Sequence, residues 1–222
     1  MTSPLSRCRP RQRQAVATSR TSGFTLVEVV IVAAITALAI VNLHIVSKAG
    51  ATAAKAGILK SAASDELNLT VDRISLALMG SSADELTGPP RAPANSTTVE
   101  YAVVLGYQDG EKILSPTESI SWELGGNEHG IIEWSMADAA GGSSGGSEGG
   151  HSIVWSKSIP NAFIGEQLGN EHDDNGNGLL NEHGLAFTRD GASVDIHLTV
   201  ERIGDGGEQV SLDKKHRITC RN

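Results

Sequence analysis

The sequence predicts an α+β fold, in which one long N-terminal α-helix packs on an antiparallel β-sheet head. Three features predict it: a continuous apolar segment near the N-terminus, a helical repeat of apolar residues after it, and alternating apolar residues in the second half of the chain. With 222 residues, the chain is long enough for one medium-sized domain with extensions. We divide it into a basic leader at residues 1–23, a long helix at residues 24–80 and a β-rich globular head at residues 81–222.

Charge is spread unevenly along the chain, whose formal net charge is −8. Five of the 18 Lys and Arg residues lie in residues 1–23, which contain no acidic residue. The remaining residues therefore carry 13 basic and all 26 acidic groups. Phosphate contacts need a basic surface, so this acidic body argues against nucleic acid as a partner. The basic leader is typical of the cytoplasmic flank of a membrane segment.

The apolar segment at residues 24–41 reads FTLVEVVIVAAITALAIV and contains one charged residue, Glu28. About 20 apolar residues span a bilayer as a helix, so residues 24–46 are predicted to be transmembrane. The arginines before this segment predict a cytoplasmic N-terminus and a head on the other side of the membrane. A carboxylate that faces lipid costs about 2.5 to 3.5 kcal/mol, so Glu28 needs a partner.

The junction at residues 22–28 reads SGFTLVE. It resembles the processing site of type IV prepilins and type II secretion pseudopilins, in which a glycine precedes a usually N-methylated phenylalanine and then Thr-Leu-(Ile/Val)-Glu. The resemblance implies a pilin-like fold, cleavage by a prepilin peptidase between Gly23 and Phe24, and methylation of the new Phe24 amine. The 23-residue leader is longer than the shortest prepilin leaders, which leaves the subclass open.

The resemblance also supplies a role for Glu28. Phe24 and Glu28 are four residues apart and lie on one face of a helix. We expect Glu28 of one subunit to neutralise the Phe24 ammonium of its neighbour, which makes it an assembly residue rather than a catalyst. Its presence argues against the tip type of pseudopilin, which usually lacks this glutamate. The alternative is an ordinary secretory signal peptide, with an apolar region at residues 29–41 and small residues at 49–51 as its cleavage site.

Apolar residues recur every three or four positions after the membrane segment, which predicts that the helix continues into the head. They are Leu59, Ala63, Leu67, Val71, Ile74 and Leu78. The helix should end near Gly80, because glycine, serine and the Pro89-Pro90 pair break the pattern.

Alternating apolar residues predict strands in the rest of the head. They lie at residues 99–105, 120–124, 132–136, 153–155, 185–187, 194–200 and 210–220. Residues 120–124 and 132–136 are predicted to form a hairpin, and the last three or four strands an antiparallel meander. We expect the three tryptophans, Trp122, Trp134 and Trp155, to anchor the sheet. Residues 139–150, AAGGSSGGSEGG, are predicted to be a flexible loop.

Residues 173–182, DDNGNGLLNE, are a candidate calcium loop. A Ca²⁺ ion prefers oxygen ligands, and the first half of this segment has the spacing of an EF-hand loop. The predicted ligands are the side chains of Asp173, Asn175, Asn177 and Glu182 and the backbone carbonyl of Leu179. Position 12 of the loop is Gly184, and asparagines replace two acids, so affinity should be weak, about 10⁻⁴ to 10⁻³ M. The alternative is an Asn/Gly turn with solvated acids.

Two further residue types bear on this site. The chain has two cysteines, Cys8 and Cys220, so a chain that loses its leader has no internal disulfide. The resemblance implies that calcium orders a loop which a disulfide closes in other pilins. The triplet Asn-Glu-His occurs at residues 127–129, 170–172 and 181–183, without the short helical spacing of a zinc site. The chain contains no G-x-S-x-G, H-E-x-x-H or Walker A motif.

The resulting prediction is a non-enzymatic structural subunit, either a minor pilin of a type IV pilus or a minor pseudopilin of a type II secretion filament. Its expected partners are prepilin peptidase, other subunits, an inner-membrane assembly platform and secreted cargo. Its expected place is the bacterial inner membrane, as a single-pass protein with a periplasmic head, and then the filament. The alternatives are a membrane-anchored periplasmic protein that binds calcium or another ligand, and a signal-anchored periplasmic hydrolase.

Overall fold

The computed structural model describes residues 23–125, 129–137 and 151–220. They form one α-helix, α1 (Leu26–Met79), one 3₁₀ turn (Ala83–Glu85) and nine strands. The chain divides into two compact units between Gly50 and Ala51. The predicted leader up to residue 22 and the predicted flexible loop at 139–150 lie outside the described residues.

The first unit contains the N-terminal part of α1. This part includes an 18-residue window with a mean hydropathy of 2.6, none of which is buried in the structure. The helix is therefore long and apolar enough to cross a membrane. Two polar side chains of this part bond within the helix, since Thr36 Oγ1 donates to the Val32 carbonyl and Asn42 Nδ2 donates to the Leu38 carbonyl.

The second unit contains the C-terminal part of α1 and all the strands. The strands are β1 (Thr98–Tyr101), β2 (Val104–Gln108), β3 (Glu111–Leu114), β4 (Glu118–Leu124), β5 (His129–Met136), β6 (His151–Pro160), β7 (Leu185–Asp190), β8 (Ser193–Ile203) and β9 (Gln209–Thr219). They form a sheet of order β1-β4-β5-β6, a hairpin β2-β3, and a sheet of order β7-β8-β9, and every pair is antiparallel. The predicted α+β fold with an antiparallel head is confirmed.

The apolar repeat on α1 is the face that packs on the sheets. Its buried residues are Ala63, Leu67, Thr70, Val71, Ile74, Ser75 and Leu78, while Leu59 is half-buried. These residues join one hydrophobic core with the inward residues of both larger sheets, such as Ile120, Ile132 and Ile196. The three tryptophans are partly buried against this core, as expected of sheet anchors.

Part-buried hydrogen bonds link β1, β4 and β5 within one sheet, and contacts of Glu66 fix α1 to both larger sheets. Trp134 Nε1 donates to Glu118 Oε2 at 2.8 Å, and the Tyr101 hydroxyl donates to the same oxygen at 2.8 Å. On α1, Glu66 accepts from Ser156 Oγ at 2.6 Å and pairs with Arg202 at 2.6 Å. One helix carboxylate therefore bridges β6 and β8.

The prediction of a single strand at residues 99–105 is wrong. β1 ends at Tyr101 and β2 begins at Val104 in a different sheet. The chain turns aside because the Ala102 carbonyl accepts a hydrogen bond from Ser82 N–H and Val103 pairs with Ser81. Apolar residues continue to alternate across the break between β1 and β2, so the alternation pattern alone does not reveal where the strand ends.

The β2-β3 hairpin is an element that the sequence analysis missed. Its turn is Asp109-Gly110, and both residues have positive φ, 54° and 88°. Two successive residues with positive φ are what a two-residue type I′ hairpin turn requires, and Asp-Gly is a favoured pair for it. The signal was therefore present in the sequence.

We predict that Leu78→Ala and Leu76→Ala, two substitutions on the same helix, differ sharply in stability. Leu78 is fully buried and Leu76 is 76% exposed. Truncation of Leu78 should lower the free energy of unfolding by about 2 to 5 kcal/mol because it leaves a cavity, whereas Leu76→Ala should stay within about 0.5 kcal/mol. Urea unfolding of the full chain in detergent, followed by tryptophan fluorescence, measures both; equal losses would contradict the packing described here.

Candidate functional site

The first candidate site is the entry to α1. Gly23, Phe24 and Thr25 precede the helix without regular secondary structure. Phe24 is 77% exposed, and no atom lies within 4 Å of the position that a side chain at Gly23 would occupy. Among the described residues, the peptide bond between Gly23 and Phe24 is therefore open to an approaching enzyme.

Glu28 has a local contact that the sequence analysis did not predict. Thr25 N–H donates to Glu28 Oε2 at 3.5 Å, and Glu28 N–H donates to Thr25 Oγ1 at 3.3 Å. This reciprocal pair is a capping box, which satisfies two backbone donors that a helix start leaves free. A negative charge in the first turn is also favoured by the helix dipole. The Thr-x-x-Glu pattern, in which threonine precedes glutamate by three residues, is the signal that reveals it in the sequence.

Apolar side chains line one face of the helix beyond this cap. Together with Phe24 and Thr36, they border a shallow groove of about 560 Å³. The other lining residues are Val29, Val32, Ala33, Ala37 and Ile40. Small residues alternate with branched ones here, so another apolar helix can approach this face closely.

The second candidate site is the segment 161–184, between β6 and β7. Its two ends are held together, since Ala162 pairs with His183 and Phe163 N–H donates to the Glu182 carbonyl at 3.0 Å. The predicted calcium ligands lie inside this closed loop. Gly176 and Gly178 have φ values of 72° and 92°, which side-chain-bearing residues rarely adopt.

Three of the predicted ligands shape the turn. Asp173 accepts from the backbone N–H groups of Asn177 at 2.9 Å and Gly178 at 2.7 Å. The side-chain oxygens of Asn175 and Asn177 accept from Asn177 N–H and Leu179 N–H. The hydrogen bond from Gly178 N–H leads the contacts that lower the pKa of Asp173. The side-chain oxygens of all three residues therefore face the interior of the turn.

Glu182 joins this turn to the sheet. It is fully buried. Its Oε1 accepts from His197 Nδ1 on β8 at 2.7 Å, and its Oε2 contacts the side-chain amides of Asn175, at 3.1 Å, and Asn177. Burial raises the pKa of Glu182, but the hydrogen bonds from His197 and the two asparagines outweigh it and lower the pKa overall. The structure thus brings Asn175, Asn177 and Glu182 together.

Glu166 is a residue of this loop that the sequence analysis missed. It is only 6% exposed, and its Oε1 accepts from Asn181 N–H at 2.9 Å. Its Oε2 is buried and has no hydrogen-bond partner among the described residues. Buried carboxylate oxygens rarely lack a partner, and an ion or a water molecule is the usual reason. No spacing in the sequence reveals it, because Glu166 precedes the motif by seven residues.

The loop at residues 161–184 offers oxygen ligands rather than a cluster of acids and histidines. The described residues contain no group of three or more His, Cys, Asp or Glu side chains that could hold a metal ion. The loop offers carboxylate, amide and carbonyl oxygens instead, which suit a hard cation such as Ca²⁺ rather than a transition metal. Together with the unpartnered Glu166 oxygen, the residues present fit calcium.

The histidines of the three Asn-Glu-His triplets make separate contacts and do not come together in one site. His129 contacts Glu201 at 3.0 Å. His172 lies within 2.7 Å of the Asn170 carbonyl in its own turn, and the His183 ring stacks on Trp122 with centroids 4.6 Å apart. Cys220 is buried and unpaired among the described residues.

Comparison with known proteins identifies the first site. Residues 18–41 match the family described as the prokaryotic N-terminal methylation motif. This motif is the hallmark of type IV prepilin-like and pseudopilin-like proteins, and here it ends within an apolar helix that continues into a β-sheet head. The match confirms the resemblance drawn from residues 22–28. No curated protein and no solved structure is significantly similar to the chain.

We predict that Glu182→Gln lowers the free energy of unfolding by about 1.5 to 3 kcal/mol, since a neutral amide cannot replace the hydrogen bonds that the buried carboxylate accepts from His197, Asn175 and Asn177. Glu171→Gln, in the same loop but exposed, is the matched control and should change stability by less than about 0.5 kcal/mol. Thermal unfolding of the full chain without calcium measures both. A Glu182→Gln variant as stable as the control would show that the contact with His197 contributes little.

Proposed function

We propose that the protein is a minor pilin or pseudopilin, a non-enzymatic subunit that assembles into a filament through its N-terminal helix. The observation that carries the proposal is the methylation motif at residues 18–41, which extends into a helix whose apolar window is not buried by the described residues. Families with this motif are structural. The proposed filament is either a type IV pilus or a type II secretion filament. Its further proposed partners are an inner-membrane assembly platform and secreted cargo.

Processing is the first step that we propose. A prepilin peptidase cleaves between Gly23 and Phe24, and the new Phe24 amine is methylated. The exposed position of Phe24, outside regular structure, supports access of the enzyme to this bond. The five arginines of the leader support a cytoplasmic N-terminus, which leaves the acidic head in the periplasm.

Insertion is compatible with Glu28. Eleven large apolar residues lie between positions 24 and 41, and each Leu, Ile, Val or Phe contributes about 0.3 to 0.6 kcal/mol in favour of insertion. Together they exceed the cost of about 2.5 to 3.5 kcal/mol for one acidic residue. The carboxylate therefore weakens insertion without preventing it, and its position in the first turn keeps it near the membrane surface.

Assembly is the step in which we assign Glu28 a function. The mature Phe24 amine is a cation, and Glu28 of a neighbouring subunit is a carboxylate that can neutralise it. Such a pair attracts by about 4 kcal/mol at 4 Å in surroundings of intermediate dielectric constant. The apolar groove beside Phe24 supports the same contact, because a second helix that packs there brings its own Glu28 to this end.

We predict that Glu28→Gln separates the assembly role from the capping role. Glutamine also serves in a capping box, so the helix start is kept while the charge is lost. The variant should insert and be processed normally, yet form at least tenfold less cross-linked oligomer, which corresponds to a loss of about 1.4 kcal/mol per contact. Cross-linking of processed protein in membranes, followed by immunoblotting, measures it.

Thr25→Ala is the matched control. It removes the hydroxyl that accepts from Glu28 N–H but leaves the charge. Oligomer formation by Thr25→Ala should stay within about twofold of wild type. Normal assembly of Glu28→Gln would contradict the charge pair. It would favour a membrane-anchored binding protein or hydrolase, which does not need the charge of Glu28.

We also propose that the loop at residues 161–184 binds Ca²⁺. The inward side-chain oxygens of Asp173, Asn175 and Asn177 and the unpartnered oxygen of Glu166 support it. Calcium, when bound, supplies positive charge that holds the turn closed. Of the predicted ligands, Glu182 has both oxygens engaged by His197 and the asparagines, so it holds the asparagines in place whether or not it also contacts the ion.

We predict that 10 mM CaCl₂ raises the melting temperature of the full chain in detergent by at least about 3 °C. The reason is that an ion with a dissociation constant of about 10⁻³ M stabilises the folded state by RT ln(1 + [L]/Kd). MgCl₂ at the same concentration is the control and should act less, since Mg²⁺ demands stricter geometry. No shift with calcium would contradict the proposal.

A further inference from the structure

We propose that Glu166 is the second carboxylate ligand of the calcium site, in the role that residue 12 has in an EF-hand loop. This inference rests on the calcium proposal above. It concerns a residue that lies outside the motif, seven positions before Asp173, and it explains how a loop with too few acids can hold a cation.

The first observation is the unpaired oxygen of Glu166. The residue is 94% buried, given its exposure of 6%, and only Oε1 has a partner, Asn181 N–H at 2.9 Å. Oε2 is enclosed and makes no hydrogen bond within the described residues. A buried carboxylate oxygen needs a hydrogen-bond donor, a proton or a cation, because water no longer solvates it.

The second observation is where this carboxylate lies. The preceding residue, Gly165, is so close to Asn175 that a side chain at 165 would come within 3.3 Å of the Asn175 Cβ. Oε1 reaches Asn181, and the following residue, Gln167, donates its N–H to Asp174 Oδ2 at 3.2 Å. Glu166 is therefore anchored beside both arms of the predicted calcium loop, through Asn181 on one side and next to Asn175 on the other.

The third observation is the shortage of anionic ligands in the motif. An EF-hand loop closes on a carboxylate at position 12, which here is Gly184. Glu182, two residues earlier, has both oxygens engaged, by His197 on one side and by Asn175 and Asn177 on the other. Asp173, the first acid of the motif, also accepts with both oxygens, from the N–H groups of Asn177 and Gly178, whereas Glu166 Oε2 has no partner among the described residues. Glu166 supplies the missing second charge from outside the motif.

Glu166→Gln tests this role, with calcium titrated into the full chain in detergent and binding followed by calorimetry and by melting temperature. Glutamine keeps the size of the side chain and an oxygen for Asn181 N–H, and it removes the charge. We expect the calcium dissociation constant to rise at least tenfold. The melting temperature without calcium should stay the same or rise, since an unpaired buried charge has been removed.

Two matched variants complete the experiment. Glu171→Gln, an exposed acid of the same loop, should leave the dissociation constant within twofold of wild type. Glu166→Asp keeps the charge but withdraws it by one methylene group, so it should weaken calcium binding at least threefold and leave the fold intact.

The possible outcomes are distinct. Wild-type calcium affinity in both Glu166 variants, in a protein that does bind calcium, would overturn the ligand role alone. A large fall in melting temperature of Glu166→Gln without calcium would also overturn it, because Glu166 would then be a structural residue paired with a water molecule or a proton. No calcium binding by the wild-type chain at 10 mM would overturn the calcium proposal itself.

Discussion

The structure depends on one constraint: the described residues do not bury the apolar start of α1. Side chains such as Leu26, Val30 and Leu38 are each more than half exposed, and no residue of the 18-residue apolar window is buried. In water, each such side chain would cost about 1.5 to 3 kcal/mol relative to burial. By length and composition, this segment is therefore suited to cross a membrane.

After Gly50, one face of α1 is buried by the sheets of the head. There, apolar residues are confined to one face, and that face is buried by the sheets at Ala63, Val71 and Ile74. The ion pair between Glu66 and Arg202 fixes the helix to β8 at 2.6 Å. The C-terminal part of α1 therefore forms one wall of the head's core.

Much of the fold was predictable because apolar residues repeat along the chain with the period of a helix or of a strand. A repeat of three and four residues predicted α1, and alternation predicted the β4-β5 hairpin and the β7-β8-β9 meander. The break at Ala102 was not predictable from period, because it depends on a hydrogen bond from Ser82, twenty residues away. The capping box at Thr25 and the Asp109-Gly110 turn had signals in the sequence. Glu166 and His197 had none, because they reach the loop only through the tertiary fold.

The most direct test of the central claim is the mass and N-terminal sequence of the membrane-extracted protein, with and without a co-expressed prepilin peptidase. The account predicts that the peptidase yields a chain that begins at Phe24 and is heavier by one methyl group. Without the enzyme, the chain should keep its leader. A chain that begins after Ala51, or one that keeps Met1 in the presence of the peptidase, would contradict the prepilin pathway and remove the basis for the role of Glu28 in assembly.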